Sequence, residues 1–170
     1  MADVTYRAMV HEDIDRMVAA WHSNSYGGSY RKKYTGYFDE RERGLRTVII
    51  AECGGKVAGF VSLLHSAKVG PFKGQGIPAI SSLSVGEEFR RQGIGTELMN
   101  RAEAAAAELS GTVCLGVGLH GISGAAQRMF VKRGYIPDGS GVWYGRSPVW
   151  SDATIQDVGS LTLYMSKELR

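Results

Sequence analysis

The sequence has little of what marks a specialised class of protein. It has two cysteines, Cys53 and Cys114, in no CxxC pair and at no metal-ligand spacing, so no disulfide scaffold and no metal site are expected. Two isolated thiols read as small core residues. There are four prolines and no Gly-X-Y period, which excludes collagen and Pro/Gly-rich disorder. The longest apolar runs, residues 47–51 and 59–64, fall far short of the ~20 residues a membrane span needs. Residues 1–7 lack the basic and apolar regions of a signal peptide, so a cytoplasmic protein is expected, with no membrane partner. The net charge is only +3, too mild to announce a nucleic-acid partner, though it favours a small anionic ligand.

One residue type is in excess. Glycine accounts for 23 of 170 residues, close to twice the usual ~7%. With 44% hydrophobic and 22% charged residues, the rest of the composition is that of an ordinary globular chain, long enough for one domain over residues 1–170. The glycines therefore act locally, and their addresses matter.

Periodicity supplies the elements. Residues 4–9 alternate as a short strand. Ile14, Met17, Val18 and Trp21 fall on one helix face, with Glu12, Asp13 and Asp15 in the first turn where the helix dipole favours negative charge. A second helix is expected through the 30s and early 40s. Residues 46–53 (RTVIIAEC) and 57–67 (VAGFVSLLHSA) read as strands joined by Gly54-Gly55-Lys56, a hairpin signal. A glycine-rich loop leads to a strand over 78–85 (PAISSLSV). A helix over 96–109 follows, with Leu98, Ala102, Ala105 and Leu109 on one face, then a strand over 112–117. Strand, helix, strand makes a βαβ unit. A helix near 124–133 and strands near 141–144 and 160–166 complete an α/β (α+β) fold. Its hairpins make the central sheet mixed rather than purely parallel.

The chemistry concentrates between the strand ending at Val85 and the following helix. Gly86-Glu87-Glu88-Phe89-Arg90-Arg91-Gln92-Gly93-Ile94-Gly95 lets backbone N–H groups converge at a helix N-terminus, with Arg90 and Arg91 beside them. Such a loop suits a pyrophosphate, and without GxxxxGK[ST] it is not a P-loop. A tight turn with solvated arginines is the plainer alternative. Gly116-Val117-Gly118-Leu119-His120-Gly121 is a literal GxGxxG with Asp138 downstream, the outline of a dinucleotide fingerprint. Pro137 makes the next segment a poor buried parallel strand, which weighs against that reading.

Arg90-x-x-Gly93-x-Gly95 after a strand ending Leu83-Ser84-Val85 resembles the pyrophosphate-binding motif of the GNAT family of N-acetyltransferases. The element order over the whole chain, and Gly134-Tyr135 after a helix, are similar to that family as well. The resemblance implies a GNAT fold, with a mixed and mostly antiparallel central sheet and helices on both faces, and acetyl-CoA as acyl donor. It implies backbone contacts to the pantetheine from Leu83, Ser84 and Val85, and a pyrophosphate held by Arg90, Arg91, Gln92, Gly93, Ile94, Gly95 and Thr96. It also implies an N–H near Ser84 or Val85 for the oxyanion, with Ser123 in the place of an asparagine that contacts the cofactor. The acceptor is then the primary amine of a small molecule.

The chain departs from the pattern at Phe130, where the family commonly has a tyrosine that protonates the departing thiolate. Three accounts stay open: another residue supplies that proton, the thiolate leaves unassisted, or the protein is a non-catalytic acyl-CoA-binding or regulatory module. His120 is the one candidate for the proton work, His65 a weaker one; both are also readable as ordinary loop histidines. Glu87 and Glu88 read as solvent-facing or capping groups. Tyr26, Tyr30 and Tyr34, with Tyr37 and Phe38, form an aromatic stripe that reads as an acceptor wall or as a packing face against the sheet or a second copy in a homodimer.

Overall fold

The structure is a computed structural model and describes residues 3–21 and 27–169. The chain divides into two compact units, one of residues 1–65 and 80–105, the other of residues 66–79 and 106–170. Among the described residues there are eight strands and four α-helices in a mixed α/β fold whose pairings are mostly antiparallel.

The first unit begins with β1 (Val4–Ala8) and α1 (Asp13–Trp21), followed by α2 (Gly27–Glu42) and the hairpin of β2 (Arg46–Cys53) and β3 (Lys56–Leu64). Gly54 and Gly55 carry φ of +56° and +76°, and Cys53 pairs with Lys56. The hairpin the sequence predicts is present, with a two-residue turn in place of the expected three-residue connection, because left-handed positions match the twist of the strands they join. β4 (Ala79–Val85) lies next to β3, and α3 (Ile94–Ala107) follows. Strand alternation sends Val48, Ile50 and Phe60 toward α1 and α2, where they pack with Ile14, Met17, Tyr34 and Tyr37. Gly59, one residue from Phe60, faces the opposite way: a Cβ there would lie 3.2 Å from Leu98 of α3. Helices thus cover both faces of the hairpin.

α3 buries Ile94, Leu98, Met99, Ala102 and Ala106. It ends at Ala107, so Leu109, expected on its buried face, is exposed beyond the last turn. Asp13 opens α1 fully buried, its carboxylate accepting from the Val10 N–H at 2.9 Å and from both nitrogens of the Arg7 guanidinium. Arg16 adds a third cationic contact, and Glu52 is shared between the two arginines.

The second unit orders its strands β5 (Thr112–Gly118), β8 (Leu161–Glu168), β6 (Ile136–Tyr144) and β7 (Ser147–Pro148), with α4 (Gly124–Lys132) between β5 and β6 in the chain. β6 starts five residues before the expected strand. Its partner β8 is antiparallel and Ile136 and Pro137 are exposed, so proline costs less here than in a buried parallel strand. A register shift between Pro137 and Val142 absorbs Gly139 and Gly141, both at positive φ. Gly134, φ +89°, ends α4 as expected. Gly116 and Gly118 have steric reasons: a Cβ would meet Thr162 at 2.8 Å in the first case and Ser123 at 2.7 Å in the second. Among the described residues no helix is long and apolar enough to cross a membrane.

Candidate functional site: the β4–α3 loop

β4 is half-buried from Ser82 to Val85, in contrast to β3, which is buried from Val57 onward. After Val85 the chain makes a 3-10 turn (Glu87–Phe89), closed by the Phe89 N–H on the Gly86 carbonyl at 2.9 Å. Arg91 (φ +61°) and Gly93 (φ +83°) are both left-handed. Arg91 is the one non-glycine residue there among those described, the kind of local strain found at ligand-binding loops. Left-handed residues alternating with ordinary ones turn successive N–H groups toward one concavity.

The first turn of α3 continues this arrangement. The N–H groups of Ile94, Gly95 and Thr96 have no acceptor within the helix, while that of Glu97 bonds the Gly93 carbonyl at 3.0 Å. Ile94 is 1% exposed and anchors the turn, so these donors sit on a fixed element. A Cβ at Gly93 would meet nothing within 4 Å, so the space beside the loop is open and glycine is required by φ alone. These residues fit a pyrophosphate. The side chains brace the loop: Arg90 donates to the Val85 carbonyl at 3.2 Å and lies 3.7 Å from Glu87, and Gln92 donates to the Glu88 carbonyl at 3.1 Å. Arg91 is exposed.

The remaining expected residues are scattered. Leu83, Ser84 and Val85 stand directly before the loop. Ser123 and His120 belong to the second unit, where the Ser123 hydroxyl lies 3.4 Å from His120 Nε2 and the Ser123 N–H bonds the His120 carbonyl. Nearby, Asp157 is held below its usual pKa by the Ser160 hydroxyl and the Gly159 N–H, with a smaller contribution from His120. His65 shares a hydrogen bond with Thr47 across the hairpin, a structural contact.

The aromatic stripe divides. Tyr26 lies outside the described residues, and Tyr30 packs partly buried against the core. Tyr34 corrects the acceptor-wall expectation: at 2% exposure, with its ring edge-on to Phe60, it is a core residue, and burial pushes its pKa up to about 12. Phe130 is buried with its ring against Tyr135.

Two features were not legible in the sequence. Arg46, 7% exposed, is held by Glu40 on two nitrogens and by Ser62 and Ser81, and lies 4.1 Å over the Tyr37 ring, whose hydroxyl shares a 2.8 Å hydrogen bond with Ser82. This network ties α2, β2 and β3 to β4. Its only trace in the sequence is an arginine opening a strand whose middle is apolar. Secondly, a cavity of about 910 Å³ opens between α1, the β2–β3 turn and the 3-10 turn, with Trp21, Lys56, Val85 and Phe89 in its wall. Among the described residues no group of three or more His, Cys, Asp or Glu is placed to hold a metal.

No curated protein sequence matches the chain. Solved structures match over nearly all of it. An N-acetyltransferase from Staphylococcus aureus Mu50 is 17% identical, with a TM-score of 0.71, covering 99% of this chain and 100% of its own. PaiA N-acetyltransferase from Thermoplasma acidophilum, solved in complex with coenzyme A, is 17% identical, with a TM-score of 0.67 and coverage of 98% and 99%. A GNAT family acetyltransferase from Elizabethkingia anophelis with acetyl-CoA bound is 15% identical, with a TM-score of 0.63 and 98% of both chains covered. At such identities these likenesses establish the fold. The model of the Acetyltransferase (GNAT) family matches residues 15–135, well over half of the sequence and the whole of the β4–α3 loop. The chain belongs to the GNAT acetyltransferase family.

Proposed function

We propose that the protein is a cytoplasmic N-acetyltransferase that moves the acetyl group of acetyl-CoA to the primary amine of a small molecule. The observation that carries this reading is the β4–α3 loop, with left-handed Arg91 and Gly93 leading into the free N–H groups of Ile94, Gly95 and Thr96. Coenzyme A in the PaiA structure and acetyl-CoA in the Elizabethkingia structure support the choice of cofactor.

When bound, acetyl-CoA supplies an activated thioester. The chain's part is to hold it and to orient it. The α3 N-terminus and Arg91 take the pyrophosphate, the Leu83–Val85 backbone takes the pantetheine, and an N–H at Ser84 or Val85 polarises the carbonyl. A primary amine with pKa near ~10.4 must lose a proton before it attacks. His120, beside Ser123, is the residue we assign to proton transfer.

A second reading has a specific observation behind it. Phe130 is packed against Tyr135 and has no hydroxyl, so a module that binds acyl-CoA without turnover is the alternative. The deciding experiment follows CoA release over a panel of small amines, with calorimetric titration of CoA alongside. Gly93→Val forces a β-branched residue to φ +83° and is expected to weaken CoA at least tenfold while leaving the far-UV spectrum unchanged. Unaltered CoA binding by that variant overturns the loop assignment. Tight CoA binding without release on any amine, in the native protein and in Phe130→Tyr alike, favours the binding module.

A further inference from the structure

The cavity beside the loop is not the pyrophosphate nest. Its wall includes Val85 and the 3-10 turn up to Arg90 but none of Gly93, Ile94, Gly95 or Thr96. At about 910 Å³ it is of the size that holds a small organic molecule. All of its wall residues lie in the first unit.

Its chemistry has three parts. Trp21 at the end of α1 and Phe89 in the 3-10 turn supply aromatic surface from two separate elements, and the Trp21 ring is backed by Phe60 at 5.4 Å. Lys56 stands 3.6 Å from Glu88, and Arg90 stands 3.7 Å from Glu87. Both pairs are longer than a charge-assisted hydrogen bond, and every member is more than half exposed, so each is held weakly and is open to exchange. Arg16 in the same wall differs: Asp13, Glu52 and the Gly55 carbonyl hold it at 2.9, 3.1 and 2.8 Å. The exchangeable charges are therefore two cations and two carboxylates around an aromatic wall. A ligand carrying both signs engages both members of a pair, whereas one of a single sign engages one member only. A ligand with one ammonium, one carboxylate and an apolar body matches all three parts.

We propose that this cavity is the acceptor pocket and that the acceptor is a zwitterionic amine with an aromatic or bulky apolar side chain, of the aromatic amino-acid class. Glu88 faces the ammonium, Lys56 the carboxylate, and Trp21 and Phe89 the side chain. The name acceptor rests on the acetyltransferase reading; the ligand class does not. Under that reading Val85, a wall residue, belongs to the strand segment that holds the thioester, so the cavity adjoins the cofactor strand.

The test is calorimetric titration of the full chain with L-phenylalanine, phenethylamine and 3-phenylpropionate, with and without saturating CoA. L-phenylalanine is expected to bind at least tenfold more tightly than either analogue that lacks one charge. Trp21→Ala and Phe89→Ala are each expected to weaken it tenfold or more. Lys56→Gln should weaken L-phenylalanine and leave phenethylamine unaffected, and Glu88→Gln should weaken L-phenylalanine and leave 3-phenylpropionate unaffected. These two surface changes leave folding intact, which thermal melting checks. Equal binding of the three probes, binding of none, or displacement of L-phenylalanine by CoA overturns the proposal. CoA release with other amines but no binding of L-phenylalanine overturns the pocket and leaves the transferase reading standing. Joint binding of L-phenylalanine and CoA with no CoA release on L-phenylalanine or on any other amine of the panel upholds the ligand class and overturns the transferase reading.

Discussion

Gly59 offers a sharp test of how closely β3, β4 and α3 are packed. A methyl group there would lie 2.8 Å from the Ser84 carbonyl oxygen, 3.2 Å from Leu98 Cδ1 and 3.3 Å from Val85 Cγ2. An ordinary carbon–oxygen contact is near ~3.3 Å, so Gly59→Ala must open the β3–β4 approach by about half an ångström or strain both strands. The nearest atom is backbone, which cannot rotate aside as a side chain can. Overpacking of this kind costs about 1–3 kcal/mol. For 170 residues, the unfolding entropy converts about 2 kcal/mol into a Tm drop of about 6 °C. Gly36 is the internal control, because it sits within α2 with nothing within 4 Å of its missing Cβ. Gly36→Ala should stabilise by about 0.5–1 kcal/mol, raising Tm by about 2 °C. The assay is a calorimetric or circular-dichroism melt of both variants beside the native protein, with CoA titration added because Ser84 and Val85 belong to the segment proposed to hold the cofactor. A Gly59→Ala protein as stable as the native one refutes the packing argument, whatever its CoA affinity.

Other outcomes follow from the same geometry. Asp13→Ala removes a fully buried carboxylate from two arginines that are each about one-third exposed and still paired with Glu52, and it leaves the Val10 N–H without its acceptor; it should destabilise by about 1–3 kcal/mol in a denaturant titration. Burial opposes ionisation of Asp13, but hydrogen bonds from Arg7 and the Val10 N–H and the two arginine charges outweigh it, so its pKa lies below the usual value; Glu52 is lowered by Arg7 and Arg16. Groups lowered on folding stabilise above the unfolded carboxylate range near ~4 and lose that contribution as pH falls through their folded values. Native stability should therefore drop steeply on acidification below about pH 4, and a flat profile there would count against the network. Burial pushes the Cys114 thiol up to about 12, so it should resist iodoacetamide at pH 8 in the folded protein and react once unfolded; prompt native labelling contradicts its placement. Gly70→Ala should destabilise the second unit, because a Cβ at its φ of +74° meets the Tyr164 ring at 2.4 Å; an unchanged melt would show that the Tyr164 ring yields.

What the sequence determined by itself was local. The Gly54-Gly55 turn, the helix stop at Gly134 and the left-handed Gly93 before α3 are decided within a few residues, by φ restrictions and the orphan donors of a helix start. That is why the conformation of the β4–α3 loop could be read and family membership anticipated from a short motif. Tertiary structure decided what depends on residues far apart in the chain. Tyr30 and Tyr34 share a helical stripe, but only the approach of Phe60 from β3 makes Tyr34 core. Pro137 could join β6 because β8, nearly 30 residues later, pairs with it antiparallel at an exposed position. Gly116 and Gly118, unassigned by pattern, are kept small by Thr162 and by Ser123 with His120. Arg46, Ser81 and Ser82 carry no signal in a linear reading, since a charge opening a strand has no visible partner until α2 folds over it. The cavity wall is drawn from α1, a hairpin turn and the end of β4, three segments with no shared period. Backbone conformation is a short-range property and shows in the sequence, whereas burial and pocket shape are long-range sums over the folded chain.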